Sequence, residues 1–222
     1  FATRAVCEWT ALLYLFHPRW SLVLEQAWSE SVLALWAALI AFFLSRLNSP
    51  SPSKTGWTLA GAGFSCAMLI ASKQYPAILL PLFLFLPRYG VRLAAMAVIG
   101  AGAMALPFVL WDPREFFKDT LLLFVQIADR YDGLSLYSAW RWCTGTSLSG
   151  YASFIGFALV VATAWRRRPN QRAASEQIEW LFLSCATALL VFFLFARYAY
   201  LNYYWFVSVL LLLAMTTSPR ES

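Results

Sequence analysis

The chain has 222 residues, 61% of them hydrophobic and 13% charged, with a formal net charge of +6. An ordinary globular domain carries about 45–50% apolar and about 25% charged residues, so this chain lacks the polar side chains to cover a solvated exterior. A soluble enzyme, a nucleic-acid binder and a disordered tail are excluded, and what remains is an integral membrane protein.

Taken in chain order, the first stretch, FATRAVCEWTALLYLF, reads like a helix entered midway. A preceding N-terminal part is therefore expected, with 5–16 a truncated first span. A hydrocarbon core of about 30 Å needs about 20 apolar residues as a helix. Residues 31–47 make one such span, stopped by the Ser/Pro-rich stretch 48–56. Residues 57–87 are too long for one helix and short for two at about 1.5 Å per residue. Lys73-Gln74-Tyr75-Pro76 divides them, because Pro76 removes a donor and disfavours helix at Tyr75. The expectation is a broken hairpin of two short helices, 57–72 and 76–87, whose backbone the bundle or a wet cavity satisfies.

Residues 93–111 form the next span. In the loop 112–147 an amphipathic helix is expected over about 114–130. Glu115, Lys118, Asp119, Gln126, Asp129 and Arg130 recur at helical spacing, with Phe116, Phe117, Leu123, Phe124 and Ile127 between them. Such a helix lies in the membrane interface. Residues 148–165, 179–197 and 203–217 complete an all-α polytopic transmembrane bundle of about eight membrane segments, a single transmembrane domain over 1–222. With that count, ten Lys and Arg residues share one side, among them Arg88, Arg92 and those of the RRRPNQR loop at 166–172, against seven on the other. The excess marks the cytoplasmic side. One kinked span over 57–87 would carry Arg88 and Arg92 across and erase the bias, which favours the hairpin.

Unusual polar residues gather on the opposite, outer side. Glu30 opens a membrane helix, where it fits equally a charge favoured by the helix dipole and a functional acid. Lys73, at the hairpin tip, either snorkels or meets an anionic head group. Asp129-Arg130-Tyr131-Asp132-Gly133, followed by Trp140-Arg141-Trp142, is either an ion-paired turn or a base beside a phosphate-binding guanidinium. Arg197, Asn202 and Tyr203 sit in RYAYLNYYW, either an interfacial aromatic belt or the wall of a polar pocket. Ionisable groups clustered at one membrane face read as a functional site. Cys7, Cys66, Cys143 and Cys185 are scattered, with His17 the sole histidine. Neither a metal site nor a disulfide framework is expected.

EQAWSES before a span, SKQYPAILLPLFLFLPR, LPFVLWDPREFF and RYAYLNYYWF resemble the GT-C superfamily of polytopic glycosyltransferases, with the nearest likeness to bacterial glycosyltransferase family 87 and mannosyltransferase-like proteins. The likeness covers most of the chain through short motifs. It implies an inverting enzyme of the bacterial inner membrane that passes a hexose, such as mannose, from a polyprenyl-phosphate donor to a lipid or glycan acceptor at the outer face, without a cofactor or nucleotide-binding fold. In that superfamily the catalytic Asp lies in the first outer loop. No residue here matches it, and its expected place is before Phe1. Glu30 and Asp132 then become secondary acids, Lys73, Arg130 and Arg197 donor-phosphate contacts, and Asn202 and Tyr203 further substrate contacts. The alternatives are a transporter or flippase of lipid-linked sugars, disfavoured by charge-free span centres and the lack of internal repeats, and a non-catalytic membrane subunit.

Overall fold

The computed structural model describes residues 4–16, 29–47, 55–122, 133–149, 151–168 and 173–217, and all regular structure among them is helical. The helices are α1 (Arg4–Leu15), α2 (Glu30–Leu47) and α3 (Thr55–Ser72), a 3₁₀ turn (Tyr75–Leu79) running into α4 (Leu80–Leu84), and α5 (Gly90–Trp111). After them come α6 (Pro113–Phe117), a π-helical stretch (Lys118–Leu122), α7 (Leu136–Thr144), α8 (Ala152–Arg166), α9 (Ala174–Phe195) and α10 (Leu201–Thr217).

The long helices are apolar all round, as the lipid phase allows. In α2 the buried stripe is Leu33, Ala34, Ala37, Ile40, Ala41, Leu44 and Leu47, while Val32, Leu35 and Phe42 are equally apolar and face outward. With no hydrophobic drive between helices in lipid, small residues set the approach. The buried face of α3 is largely Ala62, Gly63, Ser65, Cys66 and Ala67, and a Cβ on Gly100 of α5 would stand 2.6 Å from the Ala67 Cβ. Ser65 and Ser72 turn their hydroxyls onto the carbonyls of Gly61 and Met68 at 2.8 and 2.7 Å, so that no polar group of α3's serines competes for lipid.

Neighbouring helices pack in the order α5, α3, α2, α10, α9, α8. The 75–84 segment touches α3, α5, α8 and α9 and so fills the space between the two arms of that row. It runs the depth of the bundle. Tyr75 meets Phe193 and Tyr203 edge-on at 5.1 and 5.3 Å, whereas Phe85 stacks on Trp165 at 6.2 Å, at the far end of α8. Leu79, Leu82, Phe83 and Leu86 are buried along the way.

Among the described residues, three helices are long and apolar enough to cross a membrane: Glu30–Leu47, Gly90–Trp111 and Ser175–Phe195. Tyr75–Leu84, Ala152–Arg166 and Leu201–Thr217 are apolar but shorter. The expectation of about eight segments is therefore matched by length and composition in three, because a ten- or fifteen-residue helix falls short of a core about 30 Å thick. The expected amphipathic helix begins at Pro113, with the Asp112 carboxylate accepting from the Glu115 amide at 3.0 Å. At Lys118 the backbone widens to π geometry, and 123–130 lies outside the described residues. Glu115, Lys118 and Asp119 are exposed, and the Glu115–Lys118 ion pair at 2.9 Å holds the Lys118 ammonium above its ordinary pKa, chiefly through the hydrogen bond.

Candidate functional site

Glu30 begins α2 and Lys73 follows the last residue of α3. Antiparallel packing of these two helices brings the side chains together across 43 residues of sequence, as an ion pair between Lys73 Nζ and Glu30 Oε1. The Glu30 side chain is fully buried and that of Lys73 is 20% exposed. The ammonium is thus the mouth of the pair and the carboxylate its floor. Two aromatic faces hold the ammonium laterally, with Nζ 4.7 Å from the Tyr203 ring centre and 5.5 Å from that of Tyr75. Rings in these positions attract the cation by their quadrupole and exclude water from the Glu30 side.

Tyr203 is itself fixed by stacking on Phe193 at 5.0 Å and by Tyr200 at 6.2 Å. This aromatic wall continues into the 196–200 connection. There the Arg197 guanidinium lies 5.9 Å from the ring of fully buried Tyr137. Tyr137 is held by a strap: the Leu134 amide donates to the Ala199 carbonyl at 2.6 Å, and the Tyr204 hydroxyl donates to the Leu134 carbonyl at 2.5 Å. A Cβ on Gly133 would come within 2.6 Å of the Ser138 hydroxyl and 3.4 Å of the Arg197 carbonyl, so only glycine lets the strap lie this close. Burial lifts the Tyr198 phenol above its ordinary pKa, against the lowering pull of Arg197.

Several buried polar atoms at this end have no hydrogen-bond partner among the described residues: Glu30 Oε2, Tyr75 Oη, Asn202 Oδ1 and Trp205 Nε1. Buried polar groups are normally paired, since an unpaired one costs about 1–3 kcal/mol. A cluster of them beside a half-open cation is an arrangement able to receive a polar ligand.

The structure therefore joins Glu30, Lys73 and Tyr203 in direct contact and places Asn202 and Arg197 at the same end of the bundle. Arg130 and Asp132 lie outside the described residues. Glu30 stands in the first turn of α2, where the helix dipole favours an acid, and its ion pair with Lys73 is an additional contact that the sequence did not indicate. Sequence reasoning passed over Tyr75 and Tyr137 as site residues. The first lies inside the KQYP motif, while nothing local to Leu136–Thr144 marks the second. The Trp140-Arg141-Trp142 cluster belongs to α7, where Trp140 donates to Thr146 and Arg141 to Ser147, both at 3.2 Å. Comparison of the chain with known protein families, curated proteins and solved structures finds no match.

Proposed function

We propose that this chain is a membrane-embedded glycosyltransferase, moving a hexose from a polyprenyl-phosphate donor to a lipid or glycan acceptor with inversion, at the end of the bundle that carries Glu30. The observation that supports it is the Glu30–Lys73 pair: a fully buried carboxylate with one oxygen unpaired among the described residues, behind a partly exposed ammonium, at the end of a bundle of apolar helices. In this reading the chain crosses the bacterial inner membrane in about eight segments, 57–87 forms the hairpin, and the Glu30 end faces outward.

The chemistry follows from charge exchange. A donor phosphate entering at the mouth meets Lys73 first and draws it from Glu30, with Arg197 as a second cation. The carboxylate, relieved of its partner, then accepts the proton of the acceptor hydroxyl as that oxygen attacks the anomeric carbon. The carbon–oxygen bond to phosphate breaks and polyprenyl phosphate leaves, its charge held by Lys73. The test uses the full chain in proteoliposomes with radiolabelled polyprenyl-phosphate mannose. Glu30→Gln is expected to lower transfer by about 10²–10⁴-fold, with the donor still bound. Undiminished transfer in that variant would remove Glu30 from the reaction. Movement of the labelled lipid between leaflets with no transfer product would replace the enzyme by a flippase.

A further inference from the structure

The opposite end of the bundle carries a second concave feature, unrelated to the proposed reaction. The turn from Leu84 to Arg92 and the residue Arg168, just beyond α8, line a cavity of about 510 Å³. Three arginines reach it, Arg88, Arg92 and Arg168, and all three are exposed. Among the described residues none of them has a carboxylate partner. Arg88 lies over the Tyr89 ring at 5.2 Å, a contact that leaves its guanidinium N–H groups available. Three like charges around one opening repel each other, and no carboxylate among the described residues is paired with them.

The cavity is shaped by a tight approach. A Cβ on Gly90 would stand 2.4 and 2.9 Å from the carbonyl oxygens of Phe83 and Leu84. Glycine therefore lets the 83–84 turn close directly onto the start of α5, and the backbone there bends back on itself to form the wall. The N-terminal end of the 22-residue α5 also opens here, adding the positive end of its dipole to the three guanidiniums.

Leu84 and Val91 line the same cavity and are exposed apolar residues. Phe85, also in the lining, is stacked with Trp165, which is itself largely exposed. A site for a free soluble anion has no use for bare leucine, valine and tryptophan at its rim. A phosphate that comes with acyl chains does. We propose that this cavity holds the phosphate head group of an anionic membrane lipid, with Arg88, Arg92 and Arg168 on the phosphate and the chains lying over Leu84, Val91 and Trp165. Basic pockets between membrane helices are suited to such head groups, and Arg to phosphate oxygens in particular.

The experiment is native mass spectrometry of the full chain released from nanodiscs of phosphatidylcholine with and without phosphatidylglycerol. Retained phosphatidylglycerol is expected to fall about fivefold for each single Arg→Gln at 88, 92 or 168, and about a hundredfold when all three are changed. Arg46→Gln, an exposed arginine at the end of α2, supplies the charge-matched control and is expected to retain the lipid. Circular dichroism and gel filtration confirm that each variant is folded. Equal retention by the triple variant and the wild type overturns the proposal, as does an equal loss in Arg46→Gln. Inorganic phosphate is titrated in parallel. Millimolar phosphate that binds without lipid enrichment would assign the cavity to the free anion and overturn the lipid.

Discussion

At the scale of single residues, the energetics of the Glu30–Lys73 pair separate a fastening from a reactive site. A buried ion pair gains little over an apolar pair of similar volume, but removing one partner strands the other charge at a cost of about 3–5 kcal/mol. Lys73→Met is therefore expected to destabilise the protein by that amount, with Glu30 left fully buried. The double change Glu30→Leu, Lys73→Met is expected to recover most of the loss while transfer remains abolished. Unfolding in detergent with a titrated denaturant measures both, and a double variant no more stable than Lys73→Met would contradict this account. Both members were legible as polar residues of one end of the bundle, since counting segments puts Glu30 and Lys73 at one face. Their pairing was not. It depends on the register of α2 against α3, which the small-residue face of α3 sets through contacts that no spacing in one strand of sequence records. Asn202 and Tyr203 were legible because they follow directly on Arg197 in a motif-rich connection, whereas Tyr137 becomes part of the site through the Leu134–Ala199 strap alone.

At the scale of elements, the close approach of α3 and α5 is a prediction in itself. Gly100 and Gly102 lie two residues apart on α5, yet a Cβ at Gly100 would meet the Ala67 Cβ at 2.6 Å and one at Gly102 would meet nothing within 4 Å. Gly100→Val is expected to force α3 and α5 apart at a cost of about 1–3 kcal/mol, while Gly102→Val is tolerated. Thermal unfolding of the two variants in the same detergent compares them, and equal melting temperatures would refute the contact. The break at KQYP was legible because Pro76 acts locally, through its missing amide and its clash with the preceding residue. The 3₁₀ geometry that follows it, and the way Tyr75–Leu84 plugs the row, come from packing against four neighbours. The short helix α7 was missed inside a loop. Its ends carry the local signs: Ser135 accepts from the Ser138 amide at 3.2 Å, and Gly145 closes it at φ 69°.

At the scale of the whole molecule, the two ends of the bundle are chemically distinct, and their placement across the membrane is testable. Cys143 is exposed, on the short helix next to the Arg197 end, whereas Cys66 and Cys185 are buried among the helices. In a Cys7→Ser chain, a membrane-impermeant maleimide is expected to label Cys143 in intact cells. With Cys143 also changed to Ser, Arg168→Cys should be labelled only after permeabilisation. Labelling of Arg168→Cys from outside would invert the orientation. The class of fold was legible because composition alone fixes the solvent a chain can live in. The number of crossings was not, because helix length in the fold is decided by where neighbours end.

The lengths of the outermost helices carry a consequence for the lipid around the protein. α5 and α8 are both broadly exposed, and they have 22 and 15 residues. Their lengths thus differ by about 10 Å. In the proposed arrangement, where both cross the membrane, α5 has to tilt or the annulus has to thicken beside it and thin beside α8, at a cost of a fraction of a kcal/mol for each ångström of mismatch. On that arrangement, stability is expected to pass through a maximum as the acyl chains of the reconstituting lipid are lengthened from 14 to about 20 carbons, a dependence that a melting series across those lipids would reveal. A protein of this profile takes its place in the membrane by thickness as well as by polarity.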